Sequence, residues 1–566
     1  MNHLILINGK HEISGRFPIC SFEDYMCITG FFLTSLITGS PTNRRVRDCF
    51  VFMKKRKADG SSPQLFSPVV GDRLSDLPDD LIGRIISFLP TPEAVLTSQL
   101  SRRWRRVWAH VGALNVCVRG CVRRHRACVL AREALARFTT PGIPSISVEI
   151  DGHVHATEAW YREAMERAVG SVRVTSLREL ASLELPPCTR AEALAVASPG
   201  TVLALPDPAA GMAFGRLAEL SLSSVQLTGA ARPLGEFLWS CCPRLRRLRL
   251  CCVSGDAVRR LALRTDALEA LDVNNVGDLT RLDVVAANLR RLSVRSCFRF
   301  PTGGEVSVSA PRMEAVLWYR SYPEQLDFGG DMTHVRRLAG LKLPALGRPD
   351  QFDAPYAVQL LRKCSLAEHL AMELVMPDEM ALLNWLGPEQ GACEDLIRHV
   401  PQLPNVSVLS LKLSWGFGGN IGPSLASLLS RAPSLTRLCI DASPYCFTVT
   451  ESKEAAPPCG EYQWGHTRRD GELRLDRLRE VSVDGLKGTD CEEYRILELL
   501  LGNVPPSLER LSLTFCGTAA SIFDKMATEI PKHFPMAAGR WVRCPPSVLT
   551  WSKNSQAREA KKLRTK

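Results

Sequence analysis

A six-residue unit, L-x-x-L-x-L, recurs along the chain and constrains its fold more than any other feature. Clear copies start at Leu180, Leu217, Leu245, Leu268, Leu289, Met313, Val406, Leu435, Leu478 and Leu508. Alternate residues of the L-x-L portion face one side of an extended chain, so each copy forms a short strand with one apolar face. A single strand of this kind cannot bury that face, and consecutive copies therefore stack. The pattern predicts an α/β solenoid with a parallel β-sheet on its concave face and variable connections outside.

The spacing of the copies indicates which kind of repeat they form. The copies that start at 217, 245, 268, 289 and 313 are 28, 23, 21 and 24 residues apart. These values bracket the ~20–29 residues of a leucine-rich repeat. Less regular copies lie at Val335–Leu338 and Leu366–Leu370, and residues 451–471 form the clearest insertion, which we interpret as a surface loop. The prediction is an irregular leucine-rich-repeat solenoid over residues 177–515.

A second pattern, between residues 72 and 112, predicts three short helices. Asp76 is a suitable N-cap for the first helix, with Pro78 as its second residue, and Pro90 ends that helix. Thr91 starts the second helix, and Ser101 caps the third. So small a module cannot bury its many large apolar side chains, so part of its apolar surface docks either on the rest of the chain or on a second protein.

The runs from Leu77 to Pro90 and from Leu100 to Trp108 resemble an F-box, most closely that of plant F-box proteins with leucine-rich repeats. The resemblance implies that the module docks the Skp-type adaptor of a cullin-based ubiquitin ligase, while the repeats hold an unknown target protein. The docking residues carried over from the family are Leu77, Pro78, Ile82, Ile85, Leu89, Pro90, Val95, Leu100, Ser101 and Trp104. Part of this set must pack inside the module, and the sequence does not divide it.

The C-terminal part of the chain resembles the FBD region of plant F-box proteins over residues 473–545. Thr489 and Glu492 form a capping-box pattern that opens a helix to Leu501. The resulting order of strand, helix and strand from 478 to 513 carries the resemblance, which implies no chemistry.

Arginine precedes the middle apolar residue in half of the ten copies that start between 217 and 508. These residues are Arg247, Arg291, Arg337, Arg437 and Arg510. A row of guanidinium groups could bind an acidic or phosphorylated target. Alternatively, arginine fills an exposed strand position and is balanced by acids such as Glu219, Asp272 and Glu480.

The net charge of +12 is concentrated in three segments. Residues 44–57, 72–126 and 553–566 carry +6, +5 and +5, which leaves −4 for the rest of the chain. Nucleic-acid binding through the basic ends is therefore an alternative that we do not favour. Met53 would make a natural first residue of the protein, so residues 1–52 could be an upstream extension. We expect no membrane segment in the chain. The scattered cysteines favour reduced thiols in the cytoplasm or nucleus.

The sequence contains no phosphate-binding loop and no H-E-x-x-H motif, so we predict neither an enzyme nor a cofactor or metal site. A leucine-rich-repeat scaffold or sensor without a ubiquitin-ligase role remains the alternative function. The expected order is a disordered extension with a basic linker (1–71), the F-box (72–112), connecting helices and a first strand (113–176), the solenoid (177–515) and a basic tail (546–566).

Overall fold

The computed structural model describes most of the chain from residue 77 to residue 553. The described ranges are 77–87, 101–108, 113–118, 141–150, 158–176, 182–205, 214–227, 233–298, 304–330, 332–347, 354–376, 394–415, 420–442, 473–536, 538–544 and 546–553, with residues 89, 97, 132, 135, 136 and 179. The chain divides into two compact units, Met1–Leu77 and Pro78–Lys566, and the second holds all the elements below.

The helices are α1 (Asp79–Ser87), α2 (Arg102–Trp108), α3 (Glu158–Arg167), α4 (Leu234–Cys241), α5 (Ala354–Lys363), α6 (Gly422–Ser430), α7 (Cys491–Gly502) and α8 (Ala520–His533). The strands are β1 (Ala113–Val118), β2 (Ile143–Ile150), β3 (Ala168–Ser176), β4 (Ser182–Glu184), β5 (Ala193–Ala204), β6 (Glu219–Gln226), β7 (Arg247–Cys251), β8 (Arg260–Arg264), β9 (Ala270–Asn274), β10 (Arg281–Val285), β11 (Arg291–Arg295), β12 (Glu305–Ser309), β13 (Ala315–Tyr319), β14 (Gln325–Phe328), β15 (Arg337–Pro344), β16 (Leu346–Gly347), β17 (His369–Met376), β18 (Glu394–Asp395), β19 (Val408–Trp415), β20 (Arg437–Asp441), β21 (Glu480–Leu486), β22 (Arg510–Phe515), β23 (Gly539–Cys544) and β24 (Val548–Lys553).

One 18-stranded sheet runs through the described chain. Its strands pair in parallel in the order β1, β2, β3, β5, β6, β7, β9, β11, β13, β15, β17, β19, β20, β21 and β22. Strand β4 lies beside β5, and the antiparallel strands β24 and β23 follow β22 at the end of the sheet. This long, mainly parallel sheet in a mixed α/β structure fits a leucine-rich-repeat solenoid.

The repeated leucines form the core, as their spacing predicts. In the copy that starts at Leu245, that residue is 2% exposed, Leu248 is 2% exposed and Leu250 is fully buried. The strand residues between them face away from the core, which gives β7 an alternating burial pattern. Because full burial of a leucine contributes ~1.5–3 kcal/mol, stacking of the copies supplies much of the stability of the fold.

In one part of the array, the connections between strands of the large sheet form a second parallel sheet. The sequence pattern predicts only variable connections there. Strands β8, β10, β12 and β14 pair side by side with no residue shift over most of their length. The buried positions Leu261, Leu263, Leu282 and Val284 follow the same two-residue alternation as the main sheet. The repeats between 256 and 328 therefore contribute one strand to each of two sheets.

The structure corrects the position of one irregular copy. Leu366, which the sequence pattern places in the core, is 37% exposed, whereas Ala367 is only 3% exposed. Ala367, Leu370 and Met372 are all buried and restore the spacing of the regular copies. The pattern search favours leucine over alanine, although the smaller side chain occupies the core position.

The segment between the helical module and the repeats contributes strands β1–β3 and helix α3. Strand β2 contains the predicted strand 145–150, and α3 covers most of the predicted helix 158–169. The helix predicted at 129–138 lies mostly outside the described residues, and the predicted loop 451–471 lies wholly outside them.

Helix α7 begins at a different cap from the one predicted. Asp490, not Thr489, is the N-cap, and its Oδ1 accepts a hydrogen bond from the backbone N–H of Glu492 at 2.9 Å. The helix continues to Gly502, one residue beyond the predicted end. An aspartate at this position also places its negative charge at the positive end of the helix dipole.

The first turn of α7 fastens neighbouring segments together. The buried carboxylate of Glu493 accepts hydrogen bonds from the backbone N–H groups of Lys487 at 2.9 Å and Gly488 at 2.7 Å. The carboxylate of Glu492, also buried, accepts one from the backbone N–H of Ile421 at 3.1 Å. Burial raises the pKa of both carboxyl groups, although these hydrogen bonds partly oppose the rise. We call Glu492 and Glu493 the α7 clamp.

Candidate functional site

The helical module consists, in the described residues, of α1 and α2. Ser101 caps α2 as predicted, because its Oγ accepts a hydrogen bond from the backbone N–H of Trp104 at 3.2 Å. Helix α1 starts at Asp79, two residues later than the cap predicted at Asp76 would place it, and the carbonyl of Pro78 accepts hydrogen bonds from its first turn. The predicted middle helix falls outside the described residues, apart from Thr97.

Helix α1 has two apolar faces. Ile82 and Ile86, four residues apart, are buried at 0% and 2% exposure. Leu81 and Ile85, also four residues apart, are 46% and 42% exposed. Residues at this spacing lie one above the other on a helix, so one apolar pair faces the interior and the other faces outward.

The buried face of α1 packs toward α2 and the start of the sheet. A Cβ atom on Gly83 would lie 3.7 Å from Val107 Cγ1, which shows how closely the two helices approach. The side-chain amide of Asn115 in β1 donates hydrogen bonds to the carbonyls of Ser87 at 2.5 Å and Leu89 at 3.4 Å. The module is therefore attached to the first strand of the sheet.

The predicted docking residues, whose role stays a prediction, differ in burial. Pro78, Ile85 and Ser101 are exposed, Leu77 and Leu89 are half-buried, and Ile82 and Trp104 are buried. Pro90, Val95 and Leu100 lie outside the described residues. Leu81 is missing from the predicted set, although its spacing of four residues from Ile85 is a signal that could have identified it.

The second candidate surface is the face of the large sheet opposite the buried leucines, which we call the open face. The strand pairing places the first strand residues in one continuous row: Glu219, Arg247, Ala270, Arg291, Ala315, Arg337, His369, Val408, Arg437, Glu480 and Arg510. All five predicted arginines lie in this row, and all five are exposed.

Acidic neighbours in the row neutralise three of the five arginines. Arg247 contacts Glu219 at 2.6 Å. Arg437 and Arg510 contact the two carboxylate oxygens of Glu480 at 2.5 and 2.9 Å. For these three residues, the interpretation that arginine fills an exposed strand position and is neutralised by a nearby acid is the better one.

The remaining two, Arg291 and Arg337, form no ion pair with any described residue. His369 lies beside Arg337 in the row, and its pKa is lowered by partial burial and by the positive charge of Arg337. The centre of the row therefore holds two arginines that have no acidic partner among the described residues.

A separate arginine ladder runs beside the row at the beginning of the strands. Arg246, Arg290 and Arg336 each precede a row residue and contact Glu269, Glu314 and Glu368 at 3.8, 2.9 and 3.1 Å. In each Arg-Arg pair the first arginine therefore joins neighbouring repeats, and the second belongs to the open face.

Among the described residues no group of three or more histidine, cysteine, aspartate or glutamate side chains could hold a metal ion. No helix in the same part of the chain is long and apolar enough to cross a membrane. Ten cysteines of the described chain are free thiols, whereas Cys491 is in a disulfide, which departs from the expectation of reduced thiols throughout.

Comparison with known proteins identifies the helical module. The F-box domain family matches residues 74–112, which include α1 and α2. Residues 74–112 thus match the F-box domain, and they precede a sheet that fits leucine-rich repeats.

Several curated proteins of Arabidopsis thaliana share this combination. An F-box/FBD/LRR-repeat protein is 32% identical over 125 residues, which are 21% of this chain and 29% of the relative. A putative F-box/FBD/LRR-repeat protein is 30% identical over 244 residues, 40% of this chain and 48% of the relative. An F-box/LRR-repeat protein is 32% identical over 127 residues, 20% of this chain and 33% of the relative. The chain spans less than half the length of these relatives, and they confirm its resemblance to plant F-box proteins with leucine-rich repeats.

Proposed function

We propose that this protein is the substrate-receptor subunit of a Skp–cullin–F-box type ubiquitin ligase. Its F-box docks the Skp-type adaptor, and its repeats hold a target protein so that the ubiquitin carried by a partner enzyme reaches the target. F-box domains generally bind such adaptors, and the relatives combine the same two parts. The cytoplasm or nucleus, where such a complex acts, is the proposed compartment.

The observation that carries the proposal is the outward apolar pair on α1. Leu81 and Ile85 leave nearly half of their surface exposed inside the matched F-box. Exposed Pro78 lies next to the first turn of the same helix. Adjacent exposed apolar side chains of this kind are typical of a protein interface and are costly to leave in water.

The chemistry of the proposed function is positioning. The receptor increases the effective concentration of the target near the ubiquitin-carrying enzyme, and no side chain of this chain takes part in bond making. The proposal therefore makes the protein an adaptor and not an enzyme.

A scaffold without a ligase role is the second candidate, and one observation favours it. The hydrogen bonds from Asn115 to Ser87 and Leu89 attach the module to β1, as expected for a cap on the repeat array. A cap of this kind needs no adaptor, so adaptor binding separates the two functions.

Co-purification of a Skp-type adaptor with the full chain tests the proposal. The double variant Leu81→Glu/Ile85→Glu should lose the adaptor, because two charges would be buried without partners. The matched control Trp239→Glu/Val285→Glu changes two exposed apolar residues outside the F-box and should retain it. Failure of the unaltered chain to bind the adaptor, or equal binding by both variants, would reject the proposal.

A further inference from the structure

The open face differs in charge along its length. At β6–β7 and at β20–β22 its row arginines are neutralised by Glu219 and Glu480. Between these regions, at β11–β17, Arg291 and Arg337 have no acidic partner among the described residues. Two carboxylates that precede row residues in this region, Glu314 and Glu368, already contact Arg290 and Arg336.

Small side chains accompany the two arginines in the next row of the open face. Strand pairing places Ser293, Leu317, Ala339, Ala371 and Ser410 side by side in this row. Four of these five residues are serine or alanine, and all are half-buried. A second chain can therefore approach the sheet here without displacing large side chains. The guanidinium groups of Arg291 and Arg337 lie in the neighbouring row, beside such a chain.

The distance between the two arginines suits an extended chain. Arg291 and Arg337 lie on β11 and β15, with β13 between them. Neighbouring strands are about 4.8 Å apart, so the two Cα atoms are separated by roughly 10 Å. On a polyproline II chain, which has three residues per turn and rises about 3.1 Å per residue, anionic groups three residues apart lie on the same side and span about the same distance.

We propose that the part of the open face at β11–β17 binds an acidic segment of the target protein, with closely spaced anions that pair with Arg291 and Arg337. This inference rests on the proposed function, since it names the chemical class of the target's binding segment. Guanidinium groups pair with carboxylates and phosphates through two parallel hydrogen bonds, so both kinds of anion fit the site. His369 adds a third donor next to Arg337.

Fluorescence anisotropy of the full chain with two labelled probes tests the inference. One probe is a ten-residue glutamate peptide, and the other is a glycine-serine peptide with phosphoserine at every third position. The charge-free glutamine and serine peptides serve as controls. We expect saturable binding of at least one anionic probe, and the comparison identifies whether carboxylate or phosphate is preferred.

Two charge-matched variants locate the binding. Arg291→Gln/Arg337→Gln should weaken binding of the anionic probe by about tenfold or more, because the two charge-assisted contacts that hold the anions are lost. Arg247→Gln/Arg437→Gln removes the same formal charge from arginines that already have acidic partners, and should change affinity by less than about threefold. If the probe bound only by general electrostatic attraction, both double variants would lose affinity for it equally. That result would overturn the inference.

Two further outcomes would also overturn it. The first is the absence of saturable binding of either anionic probe up to about 1 mM, the affinity range of very weak complexes. The second is tighter binding of single-stranded oligothymidylate through the same two arginines, which would assign the surface to nucleic acid. Adaptor co-purification is measured on every variant, so a chain that keeps the adaptor but fails to bind the probes rejects only this inference.

Discussion

Removal of one buried carboxylate of the α7 clamp should loosen a defined part of the backbone. In Glu493→Ala the backbone N–H groups of Lys487 and Gly488 lose their acceptor, and the Gly488 group lies in a buried environment. A buried donor left unsatisfied costs about 1–3 kcal/mol, whereas the partly buried N–H of Lys487 can recover a hydrogen bond to water. Release of the desolvated charge offsets part of the loss. We therefore expect local destabilisation of about 2 kcal/mol, which corresponds to roughly thirtyfold faster exchange.

Hydrogen–deuterium exchange followed by mass spectrometry measures this effect at residues 487–488. The matched control is Glu492→Ala, because that carboxylate accepts from Ile421 instead. It should accelerate exchange at Ile421 and leave 487–488 nearly unchanged. Unaltered protection at 487–488 in Glu493→Ala, or the same acceleration in both variants, would refute the assigned role of the clamp.

Three further predictions concern α1, the clamp and a cysteine pair. Ile86→Ala should destabilise α1 by about 2–5 kcal/mol because it opens a cavity, whereas Ile85→Ala should cost less than about 1 kcal/mol; exchange rates of the α1 amides compare the two. Because burial raises the pKa of Glu493, the part of its stabilisation that depends on protonation is fully present below the ordinary glutamate pKa and is lost as pH rises through the raised value. The difference in melting temperature between the unaltered chain and Glu493→Ala should then be larger near pH 4 than at pH 7; a constant difference would contradict it. A hydrogen bond from Cys251, with another from the Asn275 amide, lowers the pKa of the exposed Cys252 thiol to about 6. The rate of alkylation of Cys252 by iodoacetamide should be half-maximal near that pH, and this reaction should be absent in Cys252→Ser. A rate that still rises steeply above pH 8 would show that the pKa of this thiol is not lowered.

The repeated core could be predicted from the sequence because its signal is local and periodic. Leu245, Leu248 and Leu250 occupy the positions that the L-x-x-L-x-L spacing assigns to them. The same search misses Ala191, Leu194 and Val196, which are equally buried, since alanine at the first position hides the pattern. Apolar content alone does not distinguish a small core residue from an ordinary surface alanine.

Features that depend on pairing between distant residues could not be read from the sequence. The five arginines look equivalent in their own repeats, and only the register of β6 against β7 reveals that Glu219 lies opposite Arg247. The division of α1 into a buried and an outward face likewise depends on where α2 and β1 pack. These contacts join residues more than twenty positions apart.

The F-box itself was recognisable because its prolines, apolar spacing and Ser-x-x-Trp helix form a long motif. Its exposed pair was only half recovered, since Ile85 belongs to the predicted set and Leu81 does not. Which arginines bind a target stays a prediction, and the structure narrows the candidates by showing which ones already have acidic partners.

Backbone exchange on the full chain, with and without a purified Skp-type adaptor, tests the central claim most directly. The account predicts a stable complex in which the amides of Asp79–Ser87 become protected, while the open-face strands β11–β17 keep their exchange rates and remain available for a target. Absence of a complex, or a complex that protects the open face and leaves α1 unchanged, would contradict it.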